Sequence, residues 1–210
     1  MQIIRLNPQK INQDKLNSAI DSLIKGEVIL FPTDTVYGFL ANATNKKAVE
    51  KIFKIKKRPA QKPLSLFVKD IKIVKKIAKI NPQQEKFLKI IWPTSPTFKK
   101  TETGKGKITA ILERRKTKEK IYGIKEDTIA IRIPSYKPLN LLLNQVNFPL
   151  AQTSANISGK PASGKIKEII KEFKDKKDQP DLIINAGDLP SYKPSTIIDL
   201  TTLPPKILRE

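Results

Sequence analysis

The segment FPTDTVYG, residues 31–38, sets two threonines, an aspartate, a tyrosine and a glycine directly behind the apolar run Val28-Ile29-Leu30-Phe31. The run reads as a strand, and Pro32 removes a backbone donor where its ladder would stop. Hydroxyls thus gather at the carboxyl end of a strand, where open α/β sheets hold ligands. Thr33 and Thr35 could bind a small polar molecule, or could only satisfy the backbone of a tight turn. A second group, IKKRPAQKP, collects Lys56, Lys57, Arg58 and Lys62 where a helix meets a loop. Cations complement a helix C-terminus, but prolines at 59 and 63 stiffen this loop, and a rigid basic loop suits an anion. The third group, TSANISGKPASGK, spaces Gly159 to Lys165 like a phosphate-binding P-loop. Ile166 stands where that motif needs a magnesium-carrying Ser or Thr, and the glycine follows the strand by several residues. With Asp199 as an acidic partner after the apolar run TIID, a P-loop ATPase remains a rival reading.

These residues need a frame, and hydrophobic periodicity supplies one. Asn12 can cap a helix with Leu16, Ile20, Leu23 and Ile24 on one face and Gly26 as its stop. Asn45 caps a second helix carrying Val49, Ile52 and Phe53, closed by Pro59. PLSLFV is a short strand, Asp70 starts a helix, and PQQEKFLKIIW is another that opens on Pro82. Strands ITAILER and TIAIRIP follow, then a helix around LNLLLNQV, strand PLAQTS, a helix over KIKEIIKEFK, strands DLIINA and STIIDL, and a tail KILRE. Alternation of this kind predicts a layered α/β fold with a mixed sheet. The polar, aperiodic stretch around residues 94–105 is expected as a loop insertion.

The chain of 210 residues, 39% hydrophobic, fits one globular domain. No run of about 18 apolar residues is present, so no membrane span is expected. The opening MQIIRLNPQK lacks the apolar stretch of a signal peptide, and a cytoplasmic protein is expected. With no cysteine and no histidine, thiolate and imidazole chemistry are excluded. A net charge of +21 favours polyanions, although lysines scattered over helix faces also read as an ordinary solvated surface. Arginine is more telling, because each of Arg5, Arg58, Arg114, Arg115, Arg132 and Arg209 offers a planar fork in a chain that otherwise uses lysine.

FPTDTVYGFLANATNKKAVEKIFKIKKRPAQKPLSLFV closely resembles the signature of the YrdC-like (TsaC) family, the threonylcarbamoyl-AMP synthases. The likeness runs on through WP, ITAIL, TIAIRIP, PLAQTSANISGKPA, PSTIID and ILR, in family order, over nearly the whole chain. It implies a YrdC-like layered domain over residues 1–210, with a twisted mixed sheet, flanking helices and a concave basic face, in the short single-domain form. It also implies an enzyme that joins L-threonine, bicarbonate or CO2, and ATP into threonylcarbamoyl-adenylate and pyrophosphate. Partner transferases would then carry the threonylcarbamoyl group to tRNA. Magnesium would arrive with ATP, held by phosphates and water more than by protein.

Carried over position by position, the resemblance makes Lys56, Arg58 and Lys62 catalytic residues on the triphosphate. Thr33, Thr35, Arg132, Thr153 and Ser195 would bind threonine, with Arg132 on its carboxylate. Thr109, Ser154, Asn156 and Arg209 would join the basic loop in binding nucleotide. No protein-held metal is expected. Three departures stand out: Leu40 and Lys57 replace family glycines, and about a dozen residues separate Trp92-Pro93 from Gly106. Beside the synthase and the P-loop rival, a non-catalytic protein of the same fold that binds tRNA or double-stranded RNA, or matures ribosomes, stays open. The motifs lack the aromatic platforms of single-strand RNA binding, which favours the enzyme.

Overall fold

The computed structural model describes residues 1–94, 105–190 and 193–210. Its helices are α1 (Gln13–Ile24), α2 (Lys46–Lys56), α3 (Ile71–Ile77), α4 (Pro82–Ile91), α5 (Lys137–Gln145) and α6 (Ile166–Phe173). Four start as their sequences predict. The side chains of Asn12, Asn45, Asp70 and Asn81 accept the backbone N–H three residues on, each satisfying one donor that a helix start leaves free. On α1, Leu16, Ala19, Ile20 and Leu23 are buried. Ile24, expected on that face, is 61% exposed, because it lies one step of about 100° beyond Leu23.

The strands are β1 (Gln2–Arg5), β2 (Ile29–Phe31), β3 (Gly38–Asn42), β4 (Ser65–Phe67), β5 (Ala78–Lys79), β6 (Ile108–Arg114), β7 (Thr128–Arg132), β8 (Leu150–Ser154), β9 (Leu182–Asn185), β10 (Thr196–Asp199) and β11 (Lys206–Arg209). Among the described residues they form one sheet in the order β1-β9-β2-β3-β8-β4-β7-β6-β10-β11, with β5 beside β6. The sheet is mixed, as expected: β9 runs parallel to β1 and β2, β4 to β7, and β6 to β10, while the other neighbours run antiparallel. Hydrophobic periodicity does not mark β1, β3 or β5, and β11 reads in the sequence as a tail. Strand β3 is buried along Gly38–Ala41, so it shows no in–out alternation. β1 and β11 are largely exposed edge strands whose polar residues dilute the apolar signal.

Two cores lie on opposite faces of the sheet. One joins Ala48, Val49, Ile52 and Ile55 of α2, Ile169 and Phe173 of α6, and Leu88 of α4 to Leu30, Phe39, Leu66, Ala110 and Ile131. The other packs Leu16, Ala19, Ile20 and Leu23 of α1 and Leu139, Leu142 and Leu143 of α5 against Ile29, Phe31, Leu40, Phe67, Leu150 and Leu182. Leu40, in place of a family glycine, is thus a fully buried part of the second core. The 94–105 insertion lies outside the described residues except for its ends. Across it, Gly106 N–H donates to Ile91 O at 2.8 Å, so the chain rejoins beside Trp92-Pro93.

Helix α2 ends in a turn that matters for the site. Arg58 N–H reaches Phe53 O at 2.9 Å and Lys57 N–H reaches Lys54 O at 3.1 Å, the paired bonds of a Schellman turn. Such a turn puts Lys57 in the left-handed region, at φ +49°, where a side chain is strained. That is the position where the family pattern has glycine. Lys57→Gly should therefore stabilise the fold by about 0.5–1 kcal/mol, the relief of strain less the added freedom of the unfolded chain. Urea unfolding checks this, and a lower midpoint for the variant would refute it.

Candidate active site

Pleating puts residues two apart on one face of a strand. Gly38, Ser65, Gln152 and Ser154, Ala130 and Arg132, Thr109 and Ile111, and Ser195 and Ile197 all border one cavity of about 220 Å³. Ser65 leads into Phe67 on its face, Gly38 into Leu40 and Gln152 into Leu150, so the cavity opens on the face that carries the α1–α5 core. Leu40 itself is not in the lining. The residues between, such as Ala110, Leu112, Ile129 and Ile131, fill the opposite core.

The β2–β3 connection closes one end. Thr33 Oγ1 donates to Val36 O at 2.7 Å, accepts Thr35 N–H at 3.1 Å, and lies 3.1 Å from Thr35 Oγ1. Both threonines are buried and border the cavity, so they build the turn and also face the site. Arg132 is only 2% exposed, and its fork is already engaged. Its Nε donates to Gly106 O, Nη1 to Thr35 Oγ1 at 3.2 Å, and Nη2 to an oxygen of Asp34. A guanidinium has five N–H bonds. One on each terminal nitrogen therefore stays available. The second Asp34 oxygen accepts Ser135 N–H at 3.2 Å. Gly106 fits here because a Cβ would lie 2.7 Å from both Ile133 O and Ser135 N.

Opposite, Thr109 Oγ1 lies 2.9 Å from Ser195 Oγ. Arg209 on β11 donates from Nε and Nη2 to Ser195 O at 3.0 and 2.6 Å. Burial lowers the Arg209 pKa, and the charge of Arg132 adds to the effect. Arg58 borders the same cavity, with Nε on Lys62 O at 2.9 Å and Nη2 on Pro63 O at 2.8 Å. Half of its fork therefore holds its own loop. That bracing accounts for arginine over lysine as well as a bidentate anion would. Burial lowers its pKa too.

Of the residues expected at the site, Thr33, Thr35, Arg58, Thr109, Arg132, Thr153, Ser154, Ser195 and Arg209 border this one cavity; Lys56, Lys62 and Asn156 do not. Lys56 is 1% exposed, and its ammonium donates to Ser154 O, Asn156 O and Asn156 Oδ1 at 2.5, 2.6 and 3.1 Å. It holds the turn after β8 rather than reaching into the cavity. Asn156 completes that turn by accepting from Ser154 Oγ at 2.6 Å and donating to Lys160 O. Lys62 is exposed on the loop. Sequence reasoning had passed over Asp34, Ser65 and Gln152. Asp34 sat unassigned within the motif, whereas the other two could have been found by counting in twos along their strands.

The P-loop reading is corrected by the geometry. The helix that follows Lys165 is α6, and its first N–H, from Ile166, donates to the Asp188 carboxylate at 3.0 Å. A helix start already facing a carboxylate does not cradle phosphate.

Comparison with known proteins fits this geometry. The Sua5/YciO/YrdC family model, described as telomere recombination, matches residues 21–210. The threonylcarbamoyl-AMP synthase of Pyrococcus abyssi is 32% identical over 202 residues, 96% of this chain. This chain spans 55% of that relative's length. Among solved structures, Pyrococcus abyssi Sua5 complexed with L-threonine superposes with a TM-score of 0.84 at 31% identity, covering all of this chain and 57% of that one. Escherichia coli YciO superposes with a TM-score of 0.84 at 28% identity, covering all of this chain and 95% of that one.

Burial lowers the Lys56 pKa from 10.5 to about 7, with the Arg58 charge pushing the same way and Glu172 opposing. Between about pH 7 and 10.5 the unfolded chain then holds more protons at this residue than the folded one, so folding stability rises with pH across that window. Lys56→Met should lose that rise and cost about 3 kcal/mol through stranded acceptors. Urea titrations at pH 6.5, 8 and 9.5 test this, and an identical slope in both proteins would refute the assignment.

Proposed function

The chain belongs to the Sua5/YciO/YrdC family, and from that premise we propose that it is an L-threonylcarbamoyladenylate synthase, a nucleotidyltransferase acting on L-threonine, bicarbonate or CO2, and ATP. The observation that carries this reading is the gathering of Arg58, Arg132 and Arg209 with the hydroxyls of Thr33, Thr35, Thr109, Ser154 and Ser195 around one cavity. The relative from Pyrococcus abyssi bears the synthase name, and the solved Sua5 of that organism holds L-threonine.

In this reading the amino-acid carboxylate meets the free N–H bonds of Arg132, and Thr35 Oγ1 orients the ligand beside it. The threonine amine adds to CO2 to give a carbamate and a proton. A carbamate oxygen then attacks the α-phosphorus of ATP, a P–O bond to pyrophosphate breaks, and threonylcarbamoyl-adenylate remains. No histidine base is needed, since the carbamate is already anionic; positioning and charge neutralisation supply the catalysis. Arg58 and Arg209 would balance the charge that builds on the leaving pyrophosphate. Lys56 and Asn156 act by fixing the turn that presents Ser154.

The lining offers hydroxyls and cations but no carboxylate, and no three acidic groups converge among the described residues. This donor set suits magnesium that enters on the triphosphate. The product would feed transferases that modify tRNA. RNA contact through the basic surface and a cytoplasmic location belong to the same proposal, and no helix among the described residues is long and apolar enough to cross a membrane.

Incubation with ATP, bicarbonate and each amino acid in turn tests the reading, with pyrophosphate scored against ADP. Threonine alone should drive pyrophosphate release; release without threonine dependence, or ADP in its place, would overturn it. Arg58→Lys keeps the charge but loses both the loop brace and the second donor. At limiting ATP its threonine-dependent rate should fall about ten- to a hundredfold, the kinetic equivalent of one or two charge-assisted hydrogen bonds. A rate equal to the parent's would move the triphosphate elsewhere.

A further inference from the structure

Three arginines around one cavity create a sorting problem if, as proposed above, the site takes both an amino-acid carboxylate and a triphosphate. Phosphate oxygens suit the same forks and carry more charge, so the nucleotide would compete for every one of them. The arginines are not equivalent, however. Arg58 rests on two carbonyl oxygens, and Arg209 on the carbonyl and hydroxyl of Ser195. Arg132 is paired with a carboxylate, that of Asp34, whose side chain is 6% exposed against 2% for Arg132. Among the described residues, neither Arg58 nor Arg209 has an acidic partner of this kind. Asp34 is not itself in the lining of the cavity: it borders an adjoining cavity with Lys105, Lys107 and Ser135, and is anchored there by Ser135 N–H.

We propose that Asp34 sorts the two anions, cancelling the net charge of Arg132 while leaving its geometry intact, so that this arginine accepts a carboxylate and rejects phosphate. The remaining N–H bonds of Arg132 still match a planar monoanion, which gains from directed hydrogen bonds. A di- or trianionic phosphate depends more on net charge and would also face repulsion from Asp34 across the guanidinium. It is left to Arg58 and Arg209. Asp34 is on this view a specificity-determining residue that acts through Arg132 and touches neither substrate.

Asp34→Asn keeps the shape and removes the charge. The probe is inorganic pyrophosphate, followed by calorimetry and by thermal unfolding. The parent should bind one equivalent, which L-threonine does not displace. The variant should bind two, the second displaced by L-threonine, and pyrophosphate should raise its melting temperature by more than it raises the parent's, because an anion restores the missing counter-charge. Asp34→Glu, which keeps the charge, should bind one equivalent. A variant that folds only when pyrophosphate is present supports the same conclusion. One equivalent in Asp34→Asn with an equal thermal shift would overturn it, as would failure to fold with or without pyrophosphate while Asp34→Glu folds. Neither readout requires turnover. A parent that binds no threonine counts against the synthase reading, whereas an unchanged pyrophosphate count in the variant counts against Asp34 alone.

Discussion

Strand register governs where this protein's chemistry can be. In β7, Ile129 and Ile131 enter one core while Ala130 and Arg132 face the cavity; in β6, Ala110 and Leu112 enter that core while Thr109 and Ile111 face the cavity. A slip of one residue would carry Arg132 or Thr109 into apolar packing and turn Ile129 and Ile131 of β7, or Ala110 and Leu112 of β6, toward the cavity. The isoleucines, leucines and alanines of the opposite face therefore do more than stabilise. Their burial fixes the phase that points each polar side chain outward. The site lies on the sheet face that α1 and α5 pack against, beyond the apolar residues those helices cover.

Polar clamps then fix what register cannot. Loops have no alternation to hold them, and several around the cavity are tied by a side chain from a distant part of the chain. Lys56 spends its ammonium on three oxygens of the turn after β8. Tyr37 donates to Gly187 O at 2.7 Å and accepts Ala186 N–H at 2.9 Å; burial raises its pKa to about 12, so the phenol stays protonated. Arg132 ties Gly106, Thr35 and Asp34 together from three parts of the chain. Buried polar groups tied at two or three points each are costly to strip and slow to move, which suits the positioning role proposed for this site.

Legibility in the sequence followed the kind of signal. Helix starts were readable because a cap is local: an Asn or Asp bonds a donor three residues away, and the side chain announces it. Strands buried on one face were readable too. β2 and β9, buried on both faces, still show as continuous apolar runs, whereas β3 does not, because its sequence GFLAN has neither alternation nor an unbroken run of large apolar residues and opens on a glycine. The family blocks carried most cavity residues, yet the resemblance could not separate Lys56 from Arg58, two neighbours in one motif. The distinction is made by the turn at Lys57, which sends one side chain under the turn after β8 and the other toward the cavity. Asp34 escaped for a related reason, since its partner is 98 residues away and only the folded sheet brings them together.

That long-range pair also bears on the excess of lysine. A surface with a net charge of +21 draws anions of every kind toward the molecule. Attraction of that sort raises encounter rates but does not discriminate, so discrimination has to be built where solvent screening is weakest. The residues at the cavity carry it, with Thr33, Thr35, Thr109, Ser195 and Arg132 buried, Arg58 half-buried and Arg209 exposed. Hydroxyls from Thr33, Thr35, Thr109 and Ser195 add direction without charge, the forks of Arg58 and Arg209 add charge with partial direction, and Arg132 retains direction after Asp34 has taken its charge. Lysine could not replace arginine in the last role: an ammonium neutralised by a carboxylate presents no planar face to a second one. The choice of arginine at this position therefore follows from the carboxylate behind it as much as from the ligand in front.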